Sequence, residues 1–273
     1  MSSATRLSDS GLGAAWQQLR AAHRTALIPY LTAGFPSVAA SLEAFRAADR
    51  VADILEVGVP FSDPLADGPT IQRSTFEALR QGMTLPGTLE LVSRAELSKP
   101  VVLFSYLNPI LRYGLSRFLR DAAELGIAGL LLTDLPAGSD PEVEAEVQGS
   151  PLDLIRLVAP TTKPERVTAA VRGAQGFVYV IARLGVTGAT PELAADLAAT
   201  IARVRAATTL PIAAGFGIST PAQAVTVGRM TDGVVVGSAL VEVLGREGVG
   251  AAEAYLEQLR AALDSARLRE ARA

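Results

Sequence analysis

Short apolar runs punctuate the chain, and between them apolar residues recur at helical spacing. The runs are Ala26–Thr32, Ile54–Val59, Val101–Ser105, Gly129–Thr133, Leu154–Val158, Phe177–Ala182, Pro211–Ala214 and Gly233–Val236. Their apolar positions are continuous rather than alternating, as a strand buried on both faces of a parallel sheet requires. The stretches Ala39–Ala52, Leu89–Leu97, Leu115–Leu125, Pro191–Ala206 and Ala251–Arg267 are rich in Ala, Leu, Glu and Arg and read as amphipathic helices. Eight strands alternating with helices predict a (β/α)8 TIM barrel, one domain spanning 1–273. An open doubly wound sheet is the alternative, but it would carry a glycine fingerprint after its first strand, and Leu31-Thr32-Ala33-Gly34-Phe35-Pro36 is not one.

Residues 1–10 are expected to form a flexible tail. The rest of Met1–Ala22, with Trp16 and Leu19, reads as an extra N-terminal helix covering the bottom of the barrel, where Trp16 serves packing. The acidic stretch Glu142–Glu146 reads as a solvated helix face.

Composition narrows the chemistry. The 273 residues are 49% hydrophobic and 19% charged, which suits a sizeable core and excludes disorder. The net charge of -3, with no basic block, argues against nucleic acid or an anionic membrane as partner. No apolar run approaches the roughly 20 residues that span a bilayer, and Met1–Leu12 lacks the apolar core of a signal peptide. Cysteine is absent, so a cytoplasmic location is expected. The one histidine, His23, precedes the first strand, and the two lysines, Lys99 and Lys163, lie outside the strands. Ser-His-Asp hydrolysis, a multi-histidine metal site and a strand-borne Schiff base are all disfavoured, and no metal is expected. Any bond making or breaking falls to carboxylates.

The carboxylates that stand out lie between Leu55 and Gln72, in L-E-V-G-V-P-F-S-D-P-L-A-D-G-P-T-I-Q. Glu56 sits near the end of the second strand and Asp67 on a loop stiffened by Pro60, Pro64 and Pro69. Partial burial could keep one as a proton donor and leave the other an acceptor. An ordinary acidic turn is the competing reading. Asp134 falls just past the fourth strand, at the same end.

Three glycine-bearing turns follow the last three strands: Gly185-Val186-Thr187-Gly188, Gly215-Phe216-Gly217-Ile218-Ser219 and Gly237-Ser238. Backbone amides of such turns, and of the helix opening at Ala239, suit a phosphate, and the loops after strands 7 and 8 are where this fold holds one. The Gly185–Ala189 segment suits a lid. Tyr106, Asn108 and Tyr179 offer rings or polar tips to a pocket at this end.

Taken in order, Ile28-Pro29-Tyr30-Leu31-Thr32-Ala33-Gly34, then Glu56 with Pro60 through Gln72, then the three glycine turns, closely resemble the signature of the tryptophan synthase alpha chain family. The matches run from the first strand to the eighth; the long acidic motif is highly specific, whereas the glycine turns alone would not be.

The resemblance implies a lyase that splits indole-3-glycerol phosphate into indole and glyceraldehyde 3-phosphate by a retro-aldol reaction in tryptophan biosynthesis. Glu56 matches the family's general acid/base. Asp67 matches the carboxylate that accepts the indole N–H bond. Thr187 matches the lid residue that orients Asp67, and Gly188, Gly217, Gly237 and Ser238 match the phosphate contacts. Tyr30, Phe104, Tyr106, Leu131, Tyr179 and Phe216 would contact the rest of the substrate.

The resemblance also implies a partner, the beta chain of an alpha2-beta2 heterotetramer, docked through Asp63, Pro64 and Asn108. The alpha chain would hold no cofactor, pyridoxal phosphate belonging to the beta partner. Two residues depart from the pattern: Ala182 stands where serine is common before the lid, and Phe35 where T-A-G-x-P often has an acidic residue or tyrosine. A stand-alone lyase releasing indole, another phosphate-binding barrel isomerase or epimerase, and a subunit whose own site is idle are the alternatives.

Overall fold

The computed structural model describes residues 11–182, 191–215 and 217–270, with the side chains of 191–195 and 267–270 outside that description. Eight parallel strands close into a barrel in sequence order: β1 (Ala26–Thr32), β2 (Leu55–Gly58), β3 (Val101–Ser105), β4 (Ile127–Leu132), β5 (Asp153–Val158), β6 (Val178–Ile181), β7 (Ile212–Gly215) and β8 (Gly233–Val236). β8 returns to β1 with Ala26 opposite Gly233, so no strand edge is left open. The eight predicted runs are the eight strands, with bounds that shift by up to two residues. The largest shift is in β4, which starts at Ile127 because Ile127 pairs with Val101 before a register shift at Val101/Val102.

The helices are α1 (Gly11–Ala21), α2 (Val38–Val51), α3 (Pro69–Arg80), α4 (Leu85–Ala95), α5 (Leu107–Tyr113), α6 (Leu115–Glu124), α7 (Pro141–Gly149), α8 (Val167–Ala170), α9 (Pro191–Ala207), α10 (Pro221–Gly228), α11 (Ser238–Glu247) and α12 (Val249–Glu270). Their starts follow local chemistry. Ser37, Thr84, Asp140 and Thr220 each accept a first-turn amide, and the Thr220–Gln223 pair completes a capping box on α10. The Thr84 cap explains why α4 begins four residues before the expected Leu89.

As expected, α1 is the extra helix, burying Leu12, Trp16 and Leu19. The Trp16 ring lies 5.6 Å from that of Phe177 and abuts Gly233 at the start of β8, at the N-terminal end of the barrel. At that end Asp53 also accepts hydrogen bonds from Arg24, Arg260 and the Leu27 amide, tying α12 to β1.

One reading is corrected. Glu142–Glu146 is not simply a solvated face: Glu144 turns inward and pairs with Arg156, which is 2% exposed in the middle of β5. Arg156 also donates to the Leu135 and Arg172 carbonyls, and Glu144 accepts from the Gly138 amide at 2.6 Å. A buried arginine needs a charged partner and filled donors, and Glu144 meets that need. Glu142 and Glu146 do face solvent.

Candidate active site

Glu56 is the second residue of β2, in register with Tyr30 of β1 and Val102 of β3. It is 2% exposed, and its Oε1 has no hydrogen-bond partner among the described residues. An unpaired buried carboxylate favours its neutral form. Burial first, and then the negative charge of Asp67, push the Glu56 carboxyl up to about 8. At neutral pH it holds a proton that it can give.

Asp67 is held by its backbone and its neighbours. Its amide donates to the Pro64 carbonyl at 3.1 Å, and its carbonyl accepts from Gln72 Nε2 at 2.9 Å. Gln72 Nε2 also reaches the Pro64 carbonyl at 3.3 Å, so the first turn of α3 grips the acidic loop at two points. Tyr106 Oη accepts from the Ala66 amide at 2.9 Å and hydrogen-bonds to the Asp67 carboxylate. Phe61 packs on the Tyr106 ring with centroids 5.1 Å apart. Burial lifts Asp67 to about 6 against the opposing Tyr106 bond, so at neutral pH it is mainly ionised. A free acidic turn would have neither the anchors nor the shift.

Glu56 and Asp67 line one cavity at the C-terminal mouth of the barrel, with Tyr30, Phe104 and Tyr179 as aromatic walls. The Tyr30 and Phe104 rings meet edge-on at 5.5 Å. Gly58 and Gly215 make room for the two tyrosines: a Cβ on Gly58 would overlap the Tyr30 hydroxyl, and one on Gly215 the Tyr179 hydroxyl. Burial raises both phenols well above their ordinary values, so neither ionises near neutrality.

The same lining includes Gly217, Val235, Gly237 and Ser238. Gly217 has φ +82°, a backbone state that glycine enters without strain. α11 opens at Ser238 with Gly237 as its cap residue and no side chain on its first-turn amides, unlike α2, α4, α7 and α10. Without a capping side chain from Gly237, those amides suit an anion. Among the described residues the lining carries no Lys, Arg or His, and no group of three metal-ligating side chains occurs.

Of the residues expected from sequence, Tyr30, Glu56, Asp67, Phe104, Tyr179, Gly217, Gly237 and Ser238 therefore meet in one cavity. Tyr106 works from behind, through the Asp67 loop. Leu131 is wholly buried in β4 and is not in the lining. Thr187, Gly188 and Phe216 lie outside the described residues, as does the 1–10 tail. Gly215, read with the anion turns, instead makes space for Tyr179. Asp134 accepts from the Leu107 amide at 2.8 Å and so caps α5. Asp63 and Asn108 are exposed, but Pro64 is buried.

Sequence reading missed the lining residues Gly68, Ile71 and Val235, the Gln72 anchor, and the purpose of Gly58, whose only signal was a glycine inside an apolar strand. The two departures are structurally quiet. Ala182 is buried and its amide donates to the Gly215 carbonyl at 2.6 Å, while Phe35 packs its ring on Gly245 of α11.

Residues 16–269 match the family model described as tryptophan synthase alpha chain. The chain is 49% identical over 220 residues to the tryptophan synthase alpha chain of Citrifermentans bemidjiense, covering 80% of this chain and 82% of that one. It is 44% identical over 255 residues to that of Chloroflexus aggregans, covering 90% and 96%. Among solved structures, Mycobacterium tuberculosis tryptophan synthase superposes with a TM-score of 0.85 at 41% identity, over 93% of this chain and 98% of that one. Tryptophan synthase subunit alpha from Legionella pneumophila gives 0.84 at 34% identity, over 94% and 99%. With a matching fold, an acidic pair at the barrel mouth and similarity over nearly its whole length, the chain belongs to the tryptophan synthase alpha chain family, the lyase subunit of tryptophan synthase.

Proposed function

We propose that Glu56 and Asp67 divide the work of cleaving indole-3-glycerol phosphate. The observation that carries this reading is that one cavity holds two carboxyl groups whose proton affinities are separated, Glu56 at about 8 and Asp67 at about 6. Near pH 7 the first is an acid and the second a charge, which is how paired carboxylates acquire different roles.

Glu56 protonates C3 of the indole ring. The ring then carries positive charge through its nitrogen, and ionised Asp67 accepts the N–H bond and stabilises that charge. Loss of the hydroxyl proton from the adjoining glycerol carbon, taken up by the Glu56 carboxylate just formed, lets the carbon–carbon bond break. Its electrons return to the ring, leaving indole and the aldehyde of glyceraldehyde 3-phosphate, with Glu56 reprotonated. The amides at Gly217, Gly237 and Ser238 suit the phosphate, and Tyr30, Phe104 and Tyr179 suit the flat ring. Thr187, Gly188 and Phe216 are assigned to the lid, the phosphate and the ring on family resemblance, and Leu131 to the ring from beneath.

The beta-chain partner docks on the same end of the barrel, through Asp63 and Asn108. Leu65, 93% exposed beside Asp63, and Leu111, exposed on α5 with Asn108, supply apolar surface there. Pro64 acts from inside, by shaping the loop. Pyridoxal phosphate belongs to the beta chain, and the complex works in the cytoplasm; no helix among the described residues is long and apolar enough to cross a membrane. An indole-release assay with and without the beta chain tests the reading. Indole formed from indole-3-glycerol phosphate, faster with the partner, supports it, and no release in either case refutes it.

A further inference from the structure

Two hydroxyl residues behind the cavity are buried completely enough to need a reason. Thr32, the last residue of β1, is 1% exposed, and Ser74, in the second turn of α3, is fully buried. Their oxygens are 2.7 Å apart. Ser74 Oγ also donates to the Ile71 carbonyl at 2.8 Å, which leaves the Thr32 hydroxyl as the donor to Ser74, with Tyr30 Oη farther off at 3.5 Å. A serine inside a helix competes with the helix's own hydrogen bonds, and a buried hydroxyl costs free energy unless it is bonded. Here the bond crosses from strand to helix.

What this bond holds is the acidic loop. Ile71 lines the cavity with Asp67, and Gln72 ties the loop to the same turn through the Pro64 and Asp67 carbonyls. Between residues 71 and 74, the helix is therefore fastened inward to β1 and outward to Asp67. We propose that Ser74 and Thr32 are positioning residues for the lyase reaction: their buried hydroxyl pair pins the first turns of α3 to β1 and so holds Asp67 against the cavity. The proposal rests on the reading of Asp67 as the indole N–H acceptor.

The groups that face Asp67 are few. Tyr106 reaches it from the turn after β3, Glu56 from β2 and Tyr30 from β1, while Tyr179 of β6 faces Glu56. No cation of the described lining intervenes. A loop released from α3 exposes Asp67 to water, and its proton affinity returns toward that of an ordinary aspartate.

The test uses the full chain carrying Thr32→Val, Ser74→Ala, both together, or Thr32→Ser, which keeps the hydroxyl. Asp67 titration is followed by carboxyl carbon NMR, its signal identified by loss in Asp67→Asn, alongside kcat and KM for indole-3-glycerol phosphate. Expected in the first two variants are a fall in the Asp67 midpoint of about one pH unit and a loss of kcat of about tenfold with little change in KM. The double variant is no worse than the worse single one, and Thr32→Ser behaves as the unaltered chain. An unmoved midpoint in both single variants overturns the proposal, even if they melt earlier. A moved midpoint with kcat unchanged upholds the pinning and instead removes Asp67 from the reaction.

Discussion

The charge of Asp67 raises the proton affinity of Glu56 across the mouth of the barrel, second only to burial itself. The Glu56 proton affinity therefore depends on whether Asp67 is ionised. Asp67→Asn removes that charge, so the Glu56 midpoint is expected to fall from about 8, by less than the full shift because burial remains the larger cause. Carboxyl carbon NMR between pH 5 and 9 reads it. A Glu56 midpoint that stays in place would mean that the pair does not interact.

The same pair predicts the pH dependence of cleavage. With Asp67 acting ionised and Glu56 protonated, as proposed, kcat/KM should rise through about pH 6 and fall through about pH 8. A rate that climbs steadily to pH 9 would contradict the assignment of Glu56 as the acid.

Stability follows from the same shift. The folded Glu56 keeps its proton up to about 8, whereas the unfolded group loses it near 4.5. Between those values the native state binds the extra proton, so stability falls as pH rises and levels off once pH passes the folded value. Asp67 adds the same sign at lower pH, up to about 6. Glu56→Gln removes the Glu56 contribution and should stabilise the chain at pH 8 by on the order of a few kcal/mol, with little gain at pH 5. Thermal melts at the two pH values check this, and an equal gain at both would contradict it.

The acidic helix α7 gives a contrast within one turn. Glu144→Ala strands the buried Arg156 guanidinium and should cost about 3–5 kcal/mol. Glu142→Ala, on the solvent side, should stay within about 0.5 kcal/mol. Urea unfolding of the two variants separates them.

The strands were legible because their apolar runs are continuous, and so was the mouth of the barrel, where Glu56 interrupts such a run. What escaped depends on side-chain direction. Glu142, Glu144 and Glu146 are alike in sequence, yet Glu144 alone turns inward, toward an arginine twelve residues later that had read as part of an apolar strand. α3 follows a proline-rich loop and α5 is a single short stretch of seven residues, so neither offered a clear helical period. Gly58 reads as a glycine inside an apolar strand and Gly215 as a turn glycine, whereas their roles are set by tyrosines on β1 and β6 that no local pattern brings to them. The Thr32–Ser74 contact spans 42 residues and carries no sequence signature.

The most direct measurement is single-turnover cleavage of indole-3-glycerol phosphate by the Glu56→Gln chain, with substrate binding followed by calorimetry. The amide keeps the size of the side chain but has no proton to give, so binding should persist while indole release falls by at least about a hundredfold. Release at the rate of the unaltered chain would show that Glu56 is not the acid that breaks the bond.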